Sequence, residues 1–200
     1  MIQFKNESSC KPFIRFKKEY DRAKLAKENH LDAACISSFD FDKKEVDSRY
    51  VNIKFLDDTN FIFFSNYNSP KSIQFNKHKQ ITCVFFWRNT QLQIRIKAFI
   101  AKTDSQYNSN YFQSRDIKKN ALAISSDQSR SISSYKKVIE KYERTLKTAD
   151  LNKCPEYWGG FSFEPYYFEF WEGHESRINK RDIYEYNKYD SNWIHSNIQP

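Results

Sequence analysis

Hydrophobic residues recur along this chain with two different periods, and the period predicts which segments are helices and which are strands. Between Pro12 and about Glu28 they follow one another at steps of three and four, as Phe13, Phe16, Tyr20 and Ala23. This spacing predicts an amphipathic helix that opens near a proline. The same period returns from Ser134 to Lys147, with Tyr135, Val138, Ile139, Tyr142 and Leu146 on one face. We expect the aromatic residues of this second helix to serve packing rather than function.

Runs of apolar and aromatic residues bounded by turn residues predict the strands. They cover Ala33–Phe39, Arg49–Leu56, Asn60–Ser65, Gln80–Arg88, Gln91–Ala101, Gly160–Trp171, Asp182–Tyr186 and about Asn192–Ile198. The turns Asp57-Asp58-Thr59 and Asn89-Thr90 would close two hairpins. Shorter helices are predicted at 70–78 and 104–114, a polar segment at 124–134, and a flexible arm at 1–11. Six or more antiparallel strands with a few helices favour a mainly β protein with peripheral helices (α+β), built as a closed or split β-barrel.

The composition predicts that residues 1–200 form one packed domain. A chain of 200 residues with 39% hydrophobic and 18% aromatic content can bury a sizeable core, and 18 Phe and 13 Tyr must supply much of it. No apolar run is long enough to span a membrane, and the first residues have no signal-peptide core. We therefore expect a cytoplasmic protein that does not interact with membranes.

The net charge of +8 bears on the partners. A basic protein can bind nucleic acid, but the lysines are scattered, and no arginine-rich tail or nucleic-acid motif is present. A pocket for small phosphorylated ligands explains the charge better, and we expect no nucleic-acid partner. The four cysteines form no CxxC pair and have no histidine at metal-ligand spacing, so we expect reduced thiols and no metal site.

The segment from Trp158 to Arg181 is the most informative part of the chain, because it contains all three glycines, Gly159, Gly160 and Gly173. In a chain that otherwise avoids glycine, these positions indicate a special backbone conformation or a close approach that a Cβ would block. Between them lies an aromatic strand, and after it a cluster of polar and cationic side chains. This arrangement is typical of a ligand site at the end of a strand.

The same segment resembles the C-terminal signature of the pyridoxamine 5′-phosphate oxidases, which are FMN-dependent enzymes. The matching positions are Trp158, Gly159, Gly160, Pro165, Glu169, Phe170, Trp171, Gly173, Arg177 and Arg181, whereas Asn179 stands where the family has a histidine. The resemblance extends over roughly residues 12–200. It implies an FMN-binding split β-barrel, FMN as cofactor and a homodimer with FMN in the cleft between two subunits.

The resemblance also implies which residues hold FMN. They lie in a strand block (Arg49, Tyr50, Val51 and Lys54), a strand-to-helix block (Phe64, Ser65 and Lys71) and four further sites (Gln93, Gln128 with Ser129, Trp171 and Arg181). A guanidinium can hold a phosphate through two parallel hydrogen bonds, and a lysine supplies a mobile point charge. Amides at a helix start favour an anion near Lys71. Pro70 replaces an arginine that the family often uses, so weaker FMN binding is expected.

For the substrate, the resemblance implies Lys54, Tyr111 and Arg115 at the phosphate and Arg177 nearest the reacting carbon, as the catalytic residue. Tyr111 and Arg115 are four residues apart and would share a helix face. Lys119 replaces a serine of the phosphate site, and Asn179 would contact the substrate but cannot carry a proton as histidine can.

The sequence therefore predicts an FMN-dependent oxidase that converts pyridoxamine or pyridoxine 5′-phosphate to pyridoxal 5′-phosphate, with O₂ as acceptor. Two alternatives remain open at this point. One is a diverged oxidase of the same fold that acts on another small heterocycle, for example a phenazine precursor, because Lys119 and Asn179 both alter the substrate side. The other is a non-catalytic protein that binds flavin or pyridoxal phosphate.

Overall fold

A computed structural model describes residues 1–200 as one sheet of ten strands with five α-helices. The strands are β1 (Gln3–Lys5), β2 (Ala33–Asp40), β3 (Glu45–Asn52), β4 (Phe55–Asp57), β5 (Asn60–Asn66), β6 (Gln80–Trp87), β7 (Leu92–Lys102), β8 (Trp158–Glu172), β9 (Lys180–Asn187) and β10 (Asn192–Asn197). The helices are α1 (Lys11–Leu25), α2 (Pro70–Lys77), α3 (Ser105–Gln113), α4 (Ile117–Ser125) and α5 (Tyr135–Thr148). No helix is both long and apolar enough to cross a bilayer.

Strand β8 organises the sheet. The strand order of the sheet is β1-β4-β5-β8-β7-β6-β2-β3; β9 also pairs with β8, and β10 pairs with β9. Along one edge β8 pairs first with β5 and then with β9, while β7 covers its other edge. Because the two ends of the strand order do not pair, the sheet stays open. The predicted mainly β fold of the split-barrel type is confirmed, except that β1 and β4 run parallel.

The core is aromatic, as the composition predicts. A cluster of 27 buried hydrophobic residues fills the barrel. In it Phe16 of α1 lies edge-on to Phe61 and Phe85, with ring centres 4.9 and 5.3 Å apart. All four apolar residues of the predicted first helix are buried. The helix therefore closes the barrel with the face that its sequence period indicates.

The prediction of a flexible arm at residues 1–11 is wrong for the first residues of the chain. Gln3–Lys5 form β1, and Ile2 is buried with its amide donating to the Tyr20 hydroxyl at 2.9 Å. The short strand pairs in parallel with β4, a long-range contact that no local sequence pattern reveals. The arm is thus part of the sheet and brings Lys5 towards the sites described below.

The predicted strand Arg49–Leu56 is divided between two partners. Its first part belongs to β3, which pairs with β2, and its last residues form β4, which makes the predicted hairpin with β5. The change occurs where the Ile53 amide donates to Asp32 O at 2.8 Å and the Lys54 amide donates to Ile62 O at 2.7 Å. The apolar alternation continues through this crossing, which is why the sequence shows one strand.

The helices after β7 differ from prediction in two ways. Helix α4 was not predicted, although Asp116 caps it by accepting from the Lys118 amide at 2.8 Å. Helix α5 was predicted, but it has no fully buried residue, and it packs mainly on α4. Tyr135 is exposed, so the packing expected of it is wrong, whereas Tyr142 is half-buried.

The glycines at the start of β8 permit a close approach, as predicted, and no glycine adopts positive φ. A Cβ at Gly159 would lie 2.5 Å from Asn108 Nδ2, and it would also collide with the Tyr67 hydroxyl. These two groups form a hydrogen-bonded unit, in which Asn108 Nδ2 donates to Tyr67 Oη at 3.0 Å and the Gly160 amide donates to Asn108 Oδ1 at 2.7 Å. The unit fixes the end of β8 that carries Trp158.

We expect Gly159→Ala to lower the free energy of unfolding by about 1–3 kcal/mol, because the methyl group would overpack this hydrogen-bonded unit. Gly173→Ala is the matched control, since the atom nearest to a Cβ there belongs to the Trp171 ring and lies 3.2 Å away. Urea unfolding of both variants measures the difference. Equal unfolding midpoints for Gly159→Ala and the wild type would contradict the close approach.

Candidate functional site

Predicted site residues from separate parts of the sequence meet around one cavity of about 200 Å³, which we call the Lys71 cavity. Its lining combines β3 and the crossing after it, the end of β5, the start of α2, the face of α3 and the loop after α4. The lining residues are Tyr50, Val51, Asn52, Lys54, Phe64, Ser65, Lys71, Tyr111, Arg115, Gln128 and Trp158. All of these residues except Asn52 and Trp158 were predicted from the sequence as cofactor or substrate positions.

Lys71 is the charge at the base of this cavity. Its side chain is buried, and its ammonium donates to Ser65 Oγ at 3.1 Å and to Ser69 Oγ at 3.4 Å. It makes no salt bridge, since no carboxylate oxygen lies within 4.0 Å of it. Burial, together with the nearby Arg49 charge, lowers the pKa of Lys71 to about 8. A buried ammonium without a counter-ion is suited to an anionic ligand.

Gln128 closes the cavity from the loop after α4. Its Oε1 accepts from Ser65 Oγ and from the Asn66 amide, both at 3.3 Å. Ser129 follows with φ of 66°, in the left-handed region, and its side chain does not line the cavity. The predicted Gln-Ser pair is thus present beside Ser65, with only its glutamine directed at the cavity.

Arg49 is inward-facing as the strand alternation predicts, yet it does not line the Lys71 cavity. Its guanidinium donates to Ser38 Oγ at 2.6 Å, to Asp47 Oδ2 at 2.6 Å and to Gln74 Oε1 at 2.8 Å. These protein partners occupy its donors. In this arrangement Arg49 acts on the cavity through its charge beside Lys71, and its predicted direct contact with a cofactor stays a prediction.

An aromatic wall supports the cationic residues of the cavity. The rings of Phe64 and Tyr111 stack with centres 3.9 Å apart, and Trp158 stacks on Phe64 at 5.1 Å. The Arg115 guanidinium lies over the Trp158 ring at 4.5 Å. Burial lowers the pKa of Arg115, and its Nη1 is buried without a hydrogen-bond partner. Trp158 is missing from the predicted site residues, although its place at the head of the glycine pair could have indicated it.

A second, larger cavity of about 780 Å³ lies against the first, and we call it the Lys119 cavity. The two share Asn52, Lys54, Tyr111 and Arg115 as a common wall. Lys54 donates to Asp32 Oδ2 at 3.1 Å, so its charge is partly balanced. Lys119 lines the larger cavity with no ion pair. The predicted substrate residues Lys54, Tyr111, Arg115 and Lys119 are therefore brought together.

The remaining predicted residues form a second group on the other half of the sheet. Gln93 of β7, Trp171 of β8 and Arg181 of β9 lie side by side across three adjacent strands. Arg177 is exposed in the loop before β9, with φ of 61°. Asn179 Oδ1 accepts from the His174 amide at 3.0 Å and so ties this loop together. None of these five residues lines the Lys71 or Lys119 cavity.

Glu169 holds Arg181 in place. The Arg181 guanidinium donates to Glu169 Oε1 through Nε at 2.9 Å and through Nη2 at 2.7 Å, while Arg95 and Tyr167 bind the other carboxylate oxygen. Burial alone would raise the pKa of Glu169, but the hydrogen bonds from Arg181, Arg95 and Tyr167 outweigh it and hold the pKa below its usual value. This network was not predicted, because its members come from three strands.

The two groups stand at opposite ends of β8. Trp158 begins this 15-residue strand and Trp171 lies near its end. At a rise of about 3.3 Å per residue, roughly 40 Å of strand separates them. Since Arg177 lines neither of the two cavities, Lys71 and Arg177 do not meet at one cavity of this chain. Either they serve different sites, or a second copy of the chain completes the site.

Comparison with known proteins identifies the family. A family model described as the pyridoxine 5′-phosphate oxidase C-terminal dimerisation region matches residues 158–200. The pyridoxine/pyridoxamine 5′-phosphate oxidase of Legionella pneumophila (strain Lens) is 32% identical over 100% of this chain and 93% of its own length. The chain belongs to the pyridoxine/pyridoxamine 5′-phosphate oxidase family. Its counterpart in Herminiimonas arsenicoxydans is 30% identical over 97% of this chain and 92% of its own length.

Solved structures show the same fold. PhzG from Burkholderia lata 383, in complex with tetrahydrophenazine-1-carboxylic acid, superposes with a TM-score of 0.87 at 22% identity, covering 98% of this chain and 93% of that one. A pyridoxamine 5′-phosphate oxidase-related, FMN binding protein from Nostoc punctiforme PCC 73102 superposes with a TM-score of 0.79 at 13% identity, over 96% and 99% of the two chains. The resemblance stated from the motifs is thereby confirmed.

Proposed function

We propose that this protein is an FMN-dependent oxidase that converts pyridoxamine or pyridoxine 5′-phosphate to pyridoxal 5′-phosphate, with O₂ as acceptor and H₂O₂ as product. The observation that carries the proposal is the buried, unpaired Lys71 ammonium beside a second set of cationic side chains. Two anion sites next to each other suit a phosphorylated cofactor and a phosphorylated substrate. Membership of the oxidase family supports the same reading.

The residues of the Lys71 cavity fit a flavin phosphate. Lys71 supplies the charge, Ser65 supplies a hydroxyl, and the side-chain amide of Gln128 can turn to donate to the ligand. All three lie within one chain, and binding of a phosphate would provide the counter-ion that Lys71 lacks. Tyr50, Val51 and Phe64 would line the path of the cofactor, and Arg49 would contribute its charge from behind.

The phosphate of the substrate would bind to Lys54, Tyr111 and Arg115, which we call the phosphate clamp. The Trp158 ring lies under the Arg115 guanidinium, and the buried Arg115 Nη1 has no hydrogen-bond partner within the chain, so an acceptor from a ligand would satisfy it. A planar guanidinium with free donors is well suited to a phosphate oxygen pair. Lys119 would add a point charge where the family has serine.

We propose that two subunits form each site. The first supplies the Lys71 cavity and the phosphate clamp, and the second supplies Gln93, Trp171, Arg181 and Arg177. This explains why the two groups are at opposite ends of β8, and the matched dimerisation region supports it. The buried Glu169 then acts by presenting Arg181 to the partner in a fixed orientation.

Bound FMN would supply the redox chemistry, by taking a hydride from the substrate C4′ carbon and passing electrons to O₂. The protein contributes position: the phosphate clamp fixes one end of the substrate, and Arg177 of the partner subunit would approach the reacting carbon. Asn179 would donate or accept a hydrogen bond but move no proton.

The proposal is tested by adding FMN to the purified protein and measuring H₂O₂ formed from pyridoxine 5′-phosphate. Flavin binding without turnover would favour a non-catalytic binding protein.

A second candidate function is oxidation of another small heterocycle by the same machinery. Lys119 and Asn179 favour it, because both alter substrate-side positions while Ser65, Lys71 and Gln128 are present as in the family pattern. Turnover assays with pyridoxine 5′-phosphate distinguish the two candidates.

We expect Asn179→His to raise kcat/KM for pyridoxine 5′-phosphate by about tenfold, the effect of one restored hydrogen bond of about 1.4 kcal/mol. Asn179 bonds only within its own loop, to the His174 amide, so the replacement should not disturb the sheet. Steady-state kinetics of the two proteins at one pH measure the change, with Asn179→Ala as control for loss of the loop bond. Inactivity of both the wild type and the histidine variant would show that the substrate is not a vitamin B6 phosphate.

A further inference from the structure

The Lys119 cavity extends well beyond the phosphate clamp, and its outer part carries cationic side chains in addition to those of the clamp. Its lining includes four cations, Lys5, Lys54, Arg115 and Lys119, against one acid, Asp116. Asp116 already accepts from the Lys118 amide as a helix cap, and Lys54 is paired with Asp32. Lys5, Arg115 and Lys119 have no salt-bridge partner. A phosphate monoester held by Lys54, Tyr111 and Arg115 would leave Lys5, which lies outside the clamp, without an anionic partner.

Tyr107 provides a second observation that points to a ligand. Tyr107 lines the same cavity, and its hydroxyl is buried without any hydrogen-bond partner; burial raises the pKa of Tyr107 to about 12. It therefore remains a neutral donor over the ordinary pH range. A buried hydroxyl without a partner is costly, and an acceptor atom from a ligand would remove that cost.

Phe55 places these groups beside the phosphate clamp. The Lys5 ammonium lies 4.0 Å from the centre of the Phe55 ring, while the rings of Tyr107 and Tyr111 contact the same ring edge-on at 6.3 and 5.2 Å. Lys5 reaches this position because β1 pairs with β4. Lys5 and Tyr107 thus form a neighbouring site, separated from the clamp residue Tyr111 by one side chain.

We propose that Lys5, Tyr107 and Lys119 bind a second anionic group joined to the phosphate that the clamp holds. Ligands with two linked anionic groups, namely polyanionic phosphates, would then occupy the clamp more tightly than phosphate monoesters and compete with the substrate. The inference rests on the proposed function only for the position of the clamp. The second group would lie on the side of the clamp away from the Lys71 cavity, because Lys5 and Tyr107 line the Lys119 cavity and not the Lys71 cavity.

Calorimetric titration of the FMN-supplemented protein with two matched ligand pairs tests this inference. Inorganic pyrophosphate is compared with inorganic phosphate, and 3-phosphoglycerate with glycerol 3-phosphate, which lacks the carboxylate. In each pair we expect the first ligand to bind at least about tenfold more tightly, the effect of one added charged contact. An advantage for pyrophosphate alone would identify the second group as a phosphate, and an advantage in both pairs would show that any acidic group is accepted.

The variants Lys5→Gln and Tyr107→Phe should each reduce this advantage, and together they should abolish it while glycerol 3-phosphate still binds. Lys147→Gln, on the exposed face of α5, removes the same charge at a distance and should retain the full advantage. Equal binding within both pairs, or an advantage that survives the double variant, would overturn the second site while leaving the phosphate clamp intact. A full advantage in a protein without oxidase activity would support the second site and reject the proposed function.

Discussion

Mixing two inactive variants, Arg115→Ala and Arg177→Ala, should restore about a quarter of the wild-type oxidase activity if each site is built from two subunits related by twofold symmetry. Arg115 lies in the phosphate clamp of one chain, and Arg177 lies beyond the far end of β8. In a mixed dimer, one site combines the intact clamp of the first chain with the intact Arg177 of the second. Random association makes half of the dimers mixed, and half of their sites intact.

Each variant alone should lose most of its activity. Removing Arg115 deletes a charged contact to the substrate phosphate worth about 1.5–3 kcal/mol, so kcat/KM should fall about ten- to hundredfold. Arg177 is exposed, and its replacement should leave the fold unchanged. The variants are co-expressed with different tags. The unseparated mixture should show about a quarter of the wild-type activity, and the mixed dimers purified through both tags should show about half.

Arg115→Ala combined with Lys54→Ala is the matched control, because both residues lie in the same clamp of the same chain. No mixed dimer of this pair has an intact site, so no activity should return. If the Arg115 and Arg177 variants also fail to restore each other, or if the protein is a monomer in light scattering, the two-subunit site is wrong.

Lys71→Ala should raise the dissociation constant of FMN about ten- to hundredfold, because it removes a charged contact to the phosphate. The wild-type affinity should also depend on pH. The pKa of Lys71 is about 8 in the free protein, and a bound phosphate would raise it. The affinity should therefore be highest below pH 8 and decline as the pH rises through 8, where the free protein loses the proton that the complex retains.

Lys71→Arg is the control for this pH dependence, since arginine keeps its charge over the whole range. Its FMN affinity should stay nearly constant between about pH 7 and 9.5, whereas that of the wild type falls. Fluorescence titration of FMN at several pH values measures both proteins. A wild-type affinity that does not change across pH 8, with Lys71→Ala binding as tightly, would place the cofactor phosphate elsewhere.

The same pKa shift has a consequence for stability without ligand. The pKa of Lys71 is lower in the folded than in the unfolded chain, so between pH 8 and 10.5 the unfolded chain binds more protons. The contribution of this residue to stability consequently rises with pH in that window. At neutral pH the buried ammonium destabilises the free protein, which is consistent with a residue placed for binding rather than for folding.

Much of the fold followed from local patterns. The period of Phe13, Phe16 and Tyr20 predicted α1 and its buried face, and the two turns predicted both hairpins. The patterns failed where a segment's partner lies far along the chain. The strand β1 pairs with β4, and the apparent strand from Arg49 to Leu56 changes partner at Ile53.

The residues of the candidate site also fall into those that the sequence predicted and those that only the structure revealed. Lys71 and Arg115 were predicted from motif resemblance, and the structure brings them to one cavity. Trp158 under Arg115 and the buried Glu169 behind Arg181 were not predicted as site residues, because a supporting contact is defined by geometry rather than by a motif. Lys5 was assigned to a flexible arm, and only the pairing of β1 places it beside the clamp.

By itself, the sequence determined the mainly β class, the approximate helices and strands, the family and most of the chemical groups of the candidate site. These properties depend on residue type and on the spacing of near neighbours, which can be read along the chain. Only the tertiary structure decided that Lys71 lacks a counter-ion, that the Tyr107 hydroxyl lacks a partner, and that Arg177 does not line the cavities of the clamp. The physical reason is that desolvation, hydrogen bonding and distance depend on which strands pair, and strand pairing joins residues that are far apart in the sequence.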